Sequence, residues 1–180
     1  MPDPAADMRF IDTHLHFDSF AAEGVVPELL ARARAAGVER MVAIGGSPDA
    51  NALAVRLAGA HPEVLRATIG LDRDEIGKPV DVALLTAQAR EPVVAAVGET
   101  GLDYHYGPDT RDAQRALFSA MLDLAADARR PVVVHSRDAD EDTLALLAAH
   151  VARPGVDAAR PGVLHCFTGS QDFARRLLDL

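Results

Sequence analysis

A single cysteine, Cys166, excludes an internal disulfide and makes a reducing cytoplasm the natural compartment. Lysine is almost missing: of 18 basic residues all but Lys78 are arginine, a skew that reads, with the abundant alanine, as compositional bias. Positive charge as a whole is scarce. A formal net charge of −9 argues against a broad basic surface holding nucleic acid by counterion release. A phosphate-bearing substrate stays open, because bound divalent cations would reverse the local field. No run approaches the roughly 20 apolar residues of a membrane span, so no membrane partner is expected. The start, Met1-Pro2-Asp3-Pro4-Ala5-Ala6-Asp7, is acidic and lacks the basic-then-apolar pattern of a secretion signal.

What is present suffices for one sizeable core, with 180 residues of which 49% are apolar. The expectation is a single domain over residues 1–180. Six Val/Ile/Leu-rich runs without polar alternation, near 8–13, 40–45, 64–70, 93–98, 131–135 and 162–166, suit a parallel sheet buried on both faces. Between them, helices are expected over 26–36, 49–59, 80–89, 110–128, 139–150 and 170–180. In the longest, Asp109 or Thr110 is placed to cap, Leu117, Met121 and Leu124 recur at helical spacing, and Pro131 closes it. The βα order predicts right-handed crossovers and either an open doubly wound sheet or a barrel.

Four of the seven histidines and one glutamate sit at the ends of these runs. His14 and His16 follow Phe10-Ile11-Asp12, Glu99 follows Val97-Gly98, His135 follows Val132-Val133-Val134, and His165 follows Val163-Leu164. On an extended strand i and i+2 point the same way, so His14 and His16 can reach one cation. Two satisfied or surface histidines are the plainer reading of that pair alone. The carboxylate of Glu99 can bridge two metal ions, or cap a helix, or face solvent. His135 is a further ligand candidate. Arg137 suits a substrate phosphate or a rim ion pair equally, and Asp138 can cap the next helix. His165 completes the set, while Cys166 reads as packing, and His61, His105 and His150 as loop or helix-surface residues. No Ser-His-Asp arrangement is legible. An open sheet gathers its site at one switch point, whereas these donors hang from strands one, four, five and six, which favours a ring. Six units fill the chain, and an eight-unit barrel takes about 250 residues. Two units at the C-terminal end are therefore expected to be missing, through truncation rather than completion by another chain or a smaller open fold.

Asp12-Thr13-His14-Leu15-His16, Gly98-Glu99-Thr100-Gly101-Leu102-Asp103-Tyr104, Pro131-Val132-Val133-Val134-His135-Ser136-Arg137-Asp138-Ala139 and His165-Cys166-Phe167-Thr168-Gly169-Ser170 together resemble the TatD family of metal-dependent deoxyribonucleases, among the amidohydrolase-type barrels. The resemblance runs from about Phe10 to the end. It implies a TIM (β/α)8 barrel of the metal-dependent hydrolase type, one or two divalent ions, and hydrolysis of DNA phosphodiesters, often 3′ to 5′ from single strands. Some members of the family are D-aminoacyl-tRNA deacylases, which makes an aminoacyl-tRNA ester the alternative substrate. By motif, His14 and His16 hold one metal, Glu99 bridges and is the catalytic carboxylate, and His135 and His165 hold the second. Imidazole-rich ligation suits Zn²⁺, Ni²⁺ or Mn²⁺ on softness grounds, whereas the resemblance implies Mg²⁺-supported activity. The chain departs from the pattern twice. Gly70-Leu71-Asp72-Arg73-Asp74 replaces a Gly-x-His-Pro-His segment, and a late Glu-Thr-Asp segment is absent, so weak or no nuclease activity is expected of these 180 residues alone. Relatives that bridge their metals with a carboxylated lysine fit poorly, because Lys78 lies in a loop-like Gly77-Lys78-Pro79 stretch. An inactive metal-binding scaffold is the non-enzymatic alternative.

Overall fold

In a computed structural model that describes residues 9–180, every sheet partnership is parallel and every strand lies beside its neighbour in sequence. The strands are β1 (Phe10–Leu15), β2 (Val38–Ala43), β3 (Leu65–Ile69), β4 (Val94–Asp103), β5 (Val132–Arg137) and β6 (Gly162–Leu164), in the order β1-β2-β3-β4-β5-β6. The acidic N-terminal stretch and Met8, which opens the expected first strand, lie outside the described residues. An unbroken sequential order is what right-handed βα crossovers give when each strand adds on the same side. The six strands curl into an α/β half-barrel, with six units present of the expected eight.

The helices are α1 (Asp18–Ala22), α2 (Val26–Ala35), α3 (Pro48–Ala60), α4 (Val82–Ala89), α5 (Arg111–Ala128), α6 (Asp140–Val151) and α7 (Gln171–Leu178). All but the five-residue α1 were legible as amphipathic stretches; α1 is too short to carry a period. Capping explains several starts. Ser47 and Asp81 accept the backbone N–H of Ala50 and Leu84, and Ser170 that of Phe173. The expected cap of α5 does not form: Thr110 stands at the cap position but donates its hydroxyl to Gly107 O. Asp138 does not cap α6 either. Ala139 holds that position, and Asp138 instead meets His105. His150, expected at the surface, is buried at 2% exposure, because α6 turns it with Leu147 toward the sheet.

The largest departure is β4, which runs five residues beyond the expected Gly98. Continuation past Glu99 depends on two glycines with φ of +147° and +144°. A Cβ on Gly98 would lie 2.8 Å from the Val133 Cβ, and one on Gly101 only 2.0 Å from the His135 carbonyl oxygen. No other residue type allows β4 and β5 to approach so closely at a positive φ. Their pairing, with Gly101 opposite His135 and Asp103 opposite Arg137, sets the site in register.

Candidate metal centre

Glu99 stands at the middle of the five donors nominated from sequence, and each of its oxygens serves a different pair. Oε2 lies 3.2 Å from His14 Nε2 and 3.4 Å from His16 Nε2. Oε1 lies 2.6 Å from His165 Nε2 and 3.4 Å from His135 Nδ1. The first and last strands are drawn together here: the rings of His14 and His165 stack at 3.8 Å with planes 5° apart. His14 is further aligned by its own N–H, which donates to Asp12 Oδ1.

These atoms form two triplets sharing Glu99, His14/His16/Glu99 and Glu99/His135/His165, in each of which the ligand atoms lie within 4.8 Å of one another. The first has the spacing of metal ligands. Donors at about 2.1 Å from a tetrahedral cation are roughly 3.4 Å apart. The three separations observed are 3.2, 3.2 and 3.4 Å. Nitrogen and carboxylate donors of this kind suit a divalent transition ion. The second triplet is closed along one edge by the short His165–Glu99 contact. The residues present therefore fit a one- or two-cation centre.

The electrostatics agree with that fit. Burial alone would raise the Glu99 carboxyl, but hydrogen bonding to His135, His14, His16 and His165 outweighs it and holds the group far below the usual carboxylate range. Reciprocally, the hydrogen bond to Glu99 raises His16 and His135 despite their partial burial. Glu99 is thus held as an anion, and a cation bound there would displace the imidazole protons that compensate it.

Four residues near the centre, Asp103, Arg73, Asp72 and Thr100, had no assigned role from sequence. Asp103, buried at 1% exposure, accepts from His135 Nε2 at 3.1 Å and from Arg73 Nη1 at 2.9 Å. Burial pushes its carboxyl up, yet the Tyr106 N–H, His135 and Arg73 bring it below its ordinary value. With the His135 proton on Nε2, the Nδ1 lone pair is left facing Glu99; a carboxylate behind a ligand histidine is a common orienting device. Asp103 lies four positions after Glu99, so strand alternation alone would have placed both on one face. Arg73, from the segment that departs from the family pattern, comes to Asp103 from the loop after β3. Its neighbour Asp72 accepts the Asp74 N–H, and burial, with the Asp74 and Glu99 charges, raises its carboxyl. Thr100 Oγ1 is buried without a hydrogen-bond partner among the described residues and belongs to a cavity of about 30 Å³ lined also by Asp72, Arg73 and His135.

The remaining nominations divide. Arg137 makes no rim ion pair among the described residues; its guanidinium lies 4.9 Å from the centre of the Tyr106 ring. Cys166 is exposed, with φ of +46°, rather than packed. Lys78 pairs with Glu75 at 2.9 Å, in the loop after β3.

Comparison with known proteins gives the same picture. The chain is 35% identical over 176 residues to an uncharacterized metal-dependent hydrolase, YcfH, of Escherichia coli K12, covering 96% of this chain and 64% of that protein. It is 41% identical over 156 residues to the 3′-5′ ssDNA/RNA exonuclease TatD of Klebsiella pneumoniae, covering 85% and 57% respectively. The crystal structure of YjjV, a TatD homolog from Escherichia coli K12, superposes with a TM-score of 0.80 at 31% identity, over 95% of this chain and 65% of that one. The chain thus spans less than two thirds of the length of these relatives. Residues 11–180 match the family model described as TatD related DNase, and on that match, with these relatives, the chain belongs to the TatD family.

Proposed function

We propose that this centre, with one or two divalent cations, hydrolyses phosphodiester bonds of single-stranded nucleic acid from the 3′ end. The observation that carries the reading is the sharing of Glu99, each oxygen of which faces its own pair of imidazoles. His14, His16, Glu99, His135 and His165 would hold the cations. Bound there, divalent ions supply Lewis acidity toward a phosphoryl oxygen and make water more acidic. The chain's own groups do the positioning. Asp103 holds His135 by one nitrogen so that the other presents its lone pair, and Arg73 keeps Asp103 charged. Asp12 fixes the strand end that carries His14. Arg137, two residues beyond His135 on the same face of β5, is placed to take a substrate phosphate. The names of the nuclease relatives support nucleic acid as the substrate class.

The test is incubation of a 5′-labelled single-stranded DNA with the chain in Mg²⁺ or Mn²⁺. Slow shortening from the 3′ end, abolished by EDTA and by Glu99→Gln, is expected. Cleavage that survives both treatments would refute the reading.

A further inference from the structure

Beyond the cation donors, the same rim presents an exposed aromatic ring and a guanidinium that has no ion pair among the described residues. Tyr106 is 66% exposed, in a protein with only two tyrosines and no tryptophan. It is not loosely held. Its N–H donates to Asp103 Oδ1 at 2.9 Å, and the other oxygen of Asp103 holds His135. The backbone that carries the ring is therefore tied through one carboxylate to a residue of the centre. Its edge is met by the His105 ring at 4.8 Å, and His105 is itself anchored on Asp138.

Arg137 lies 4.9 Å and Arg73 5.6 Å from the Tyr106 ring centre. The two guanidiniums differ in their charges. Arg73 is neutralised by Asp103 and by Asp74, at 2.9 and 3.7 Å. Arg137 is half-buried and has no ion pair among the described residues. A partly desolvated cation without a counter-charge is costly unless an anion completes it. In a protein of net charge −9 such a site singles out a specific anion rather than polyanions in general.

We propose that Tyr106 and Arg137 form a nucleotide subsite beside the cation centre, in which Arg137 takes a phosphate next to the scissile one and Tyr106 stacks the base of that nucleotide. The proposal rests on the nucleic-acid reading above and adds to it a reason for single strands. A base is free to lie on a tyrosine only when it is not paired in a duplex, and such stacking tolerates any base. Arg73 supports the ring and Asp103 sets its distance from the centre.

The experiment compares two hydrolysis-resistant phosphorothioate octamers in Mg²⁺, one of thymidine and one of abasic units, by fluorescence anisotropy. The backbones are alike, so the difference reports the bases alone. Wild-type chain is expected to bind the thymidine octamer roughly tenfold more tightly, within the range of base–aromatic stacking. Tyr106→Phe keeps that preference, Tyr106→Ala erases it, and Arg137→Ala weakens both octamers alike. Equal binding of the two octamers by the wild type, no binding of either, or a preference that survives Tyr106→Ala overturns the proposal. Should Tyr106→Ala lower the melting temperature, Tyr106 emission decides, since in a Tyr104→Phe background it is the sole tyrosine. Quenching by the thymidine octamer supports stacking and its absence overturns it. Hydrolysis of bis(p-nitrophenyl) phosphate, which has no base, separates the two readings. Turnover without base discrimination keeps the hydrolase and discards the subsite; discrimination without turnover does the reverse.

Discussion

The middle of the sheet and its two flanks hold the same centre by different means. In β3 to β5 the strand residues Leu65, Ile69, Val94, Val97, Val132 and Val134 are at most 2% exposed, and the glycines of β4 lock it against β5. On β1 and β6 the strand residues Phe10, Ile11 and Val163 are 48%, 63% and 52% exposed. Beside β6, Leu147, Phe167, Leu177 and Leu178 line an apolar groove open to solvent. Glu99, Asp103 and His135 thus come from packed strands, whereas His14, His16 and His165 come from exposed ones. Packing positions the first set. The second is positioned largely by contacts to Glu99, so cations bound there would tie the flanks to the middle.

That contrast can be broken first at its strongest point. Gly101→Ala drives a Cβ into the His135 carbonyl at a positive φ and is expected to cost about 3 kcal/mol or more, measured by urea unfolding. Next, Glu99→Gln removes the shared ligand and should weaken Mn²⁺ binding at least about a hundredfold by calorimetry, leaving the centre of the sheet folded. A variant that binds Mn²⁺ like the wild type would show that the triplets are not ligands. Asp103→Asn, which leaves His135 unoriented, is expected to lower affinity about ten- to hundredfold with a smaller change in stability. Chelation sharpens the comparison differently: EDTA should lift hydrogen-exchange protection of β1 and the segment around His165 while sparing β4 and β5. Uniform loss of protection would contradict the division.

The smallest effect concerns His150, in the groove beside β6. Burial, helped by the Arg153 charge, lowers its pKa, and neither ring nitrogen has a partner among the described residues. The unfolded chain takes up a proton near pH 6.5 that the native state resists. Stability is therefore full above that pH and falls as pH drops through the lowered native value, by at most about 1.4 kcal/mol per pH unit. His150→Leu should flatten that part of a melting-temperature profile, measured with EDTA present so that the donor histidines do not contribute through metal.

Much of this was legible from local pattern. Six apolar runs and their helices follow from burial on both faces and from 3.6-residue periodicity, and the positions of His14, Glu99, His135 and His165 behind those runs mark one face of a parallel sheet. The misses share a physical origin. Residue type does not report which neighbour a side chain will meet. Asp138 and Thr110 have capping chemistry but found other partners, and His150 is polar but sits on the inward face of α6. Asp103 was visible as part of a motif, yet its duty depends on His135 from the next strand and Arg73 from the previous loop.

The amino-acid order settles that strands and helices alternate and that the candidate donors fall in the second half of a strand or just past it, because those properties are local: side-chain chemistry, periodicity and turn propensity. Folding in three dimensions settles that Glu99 faces two imidazole pairs at once, that Asp103 backs His135, and that Arg137 meets a tyrosine instead of a carboxylate. These are distances between segments as much as 85 residues apart, from His14 to Glu99. They follow from strand register and the close approach of β4 to β5, which no single stretch of chain encodes.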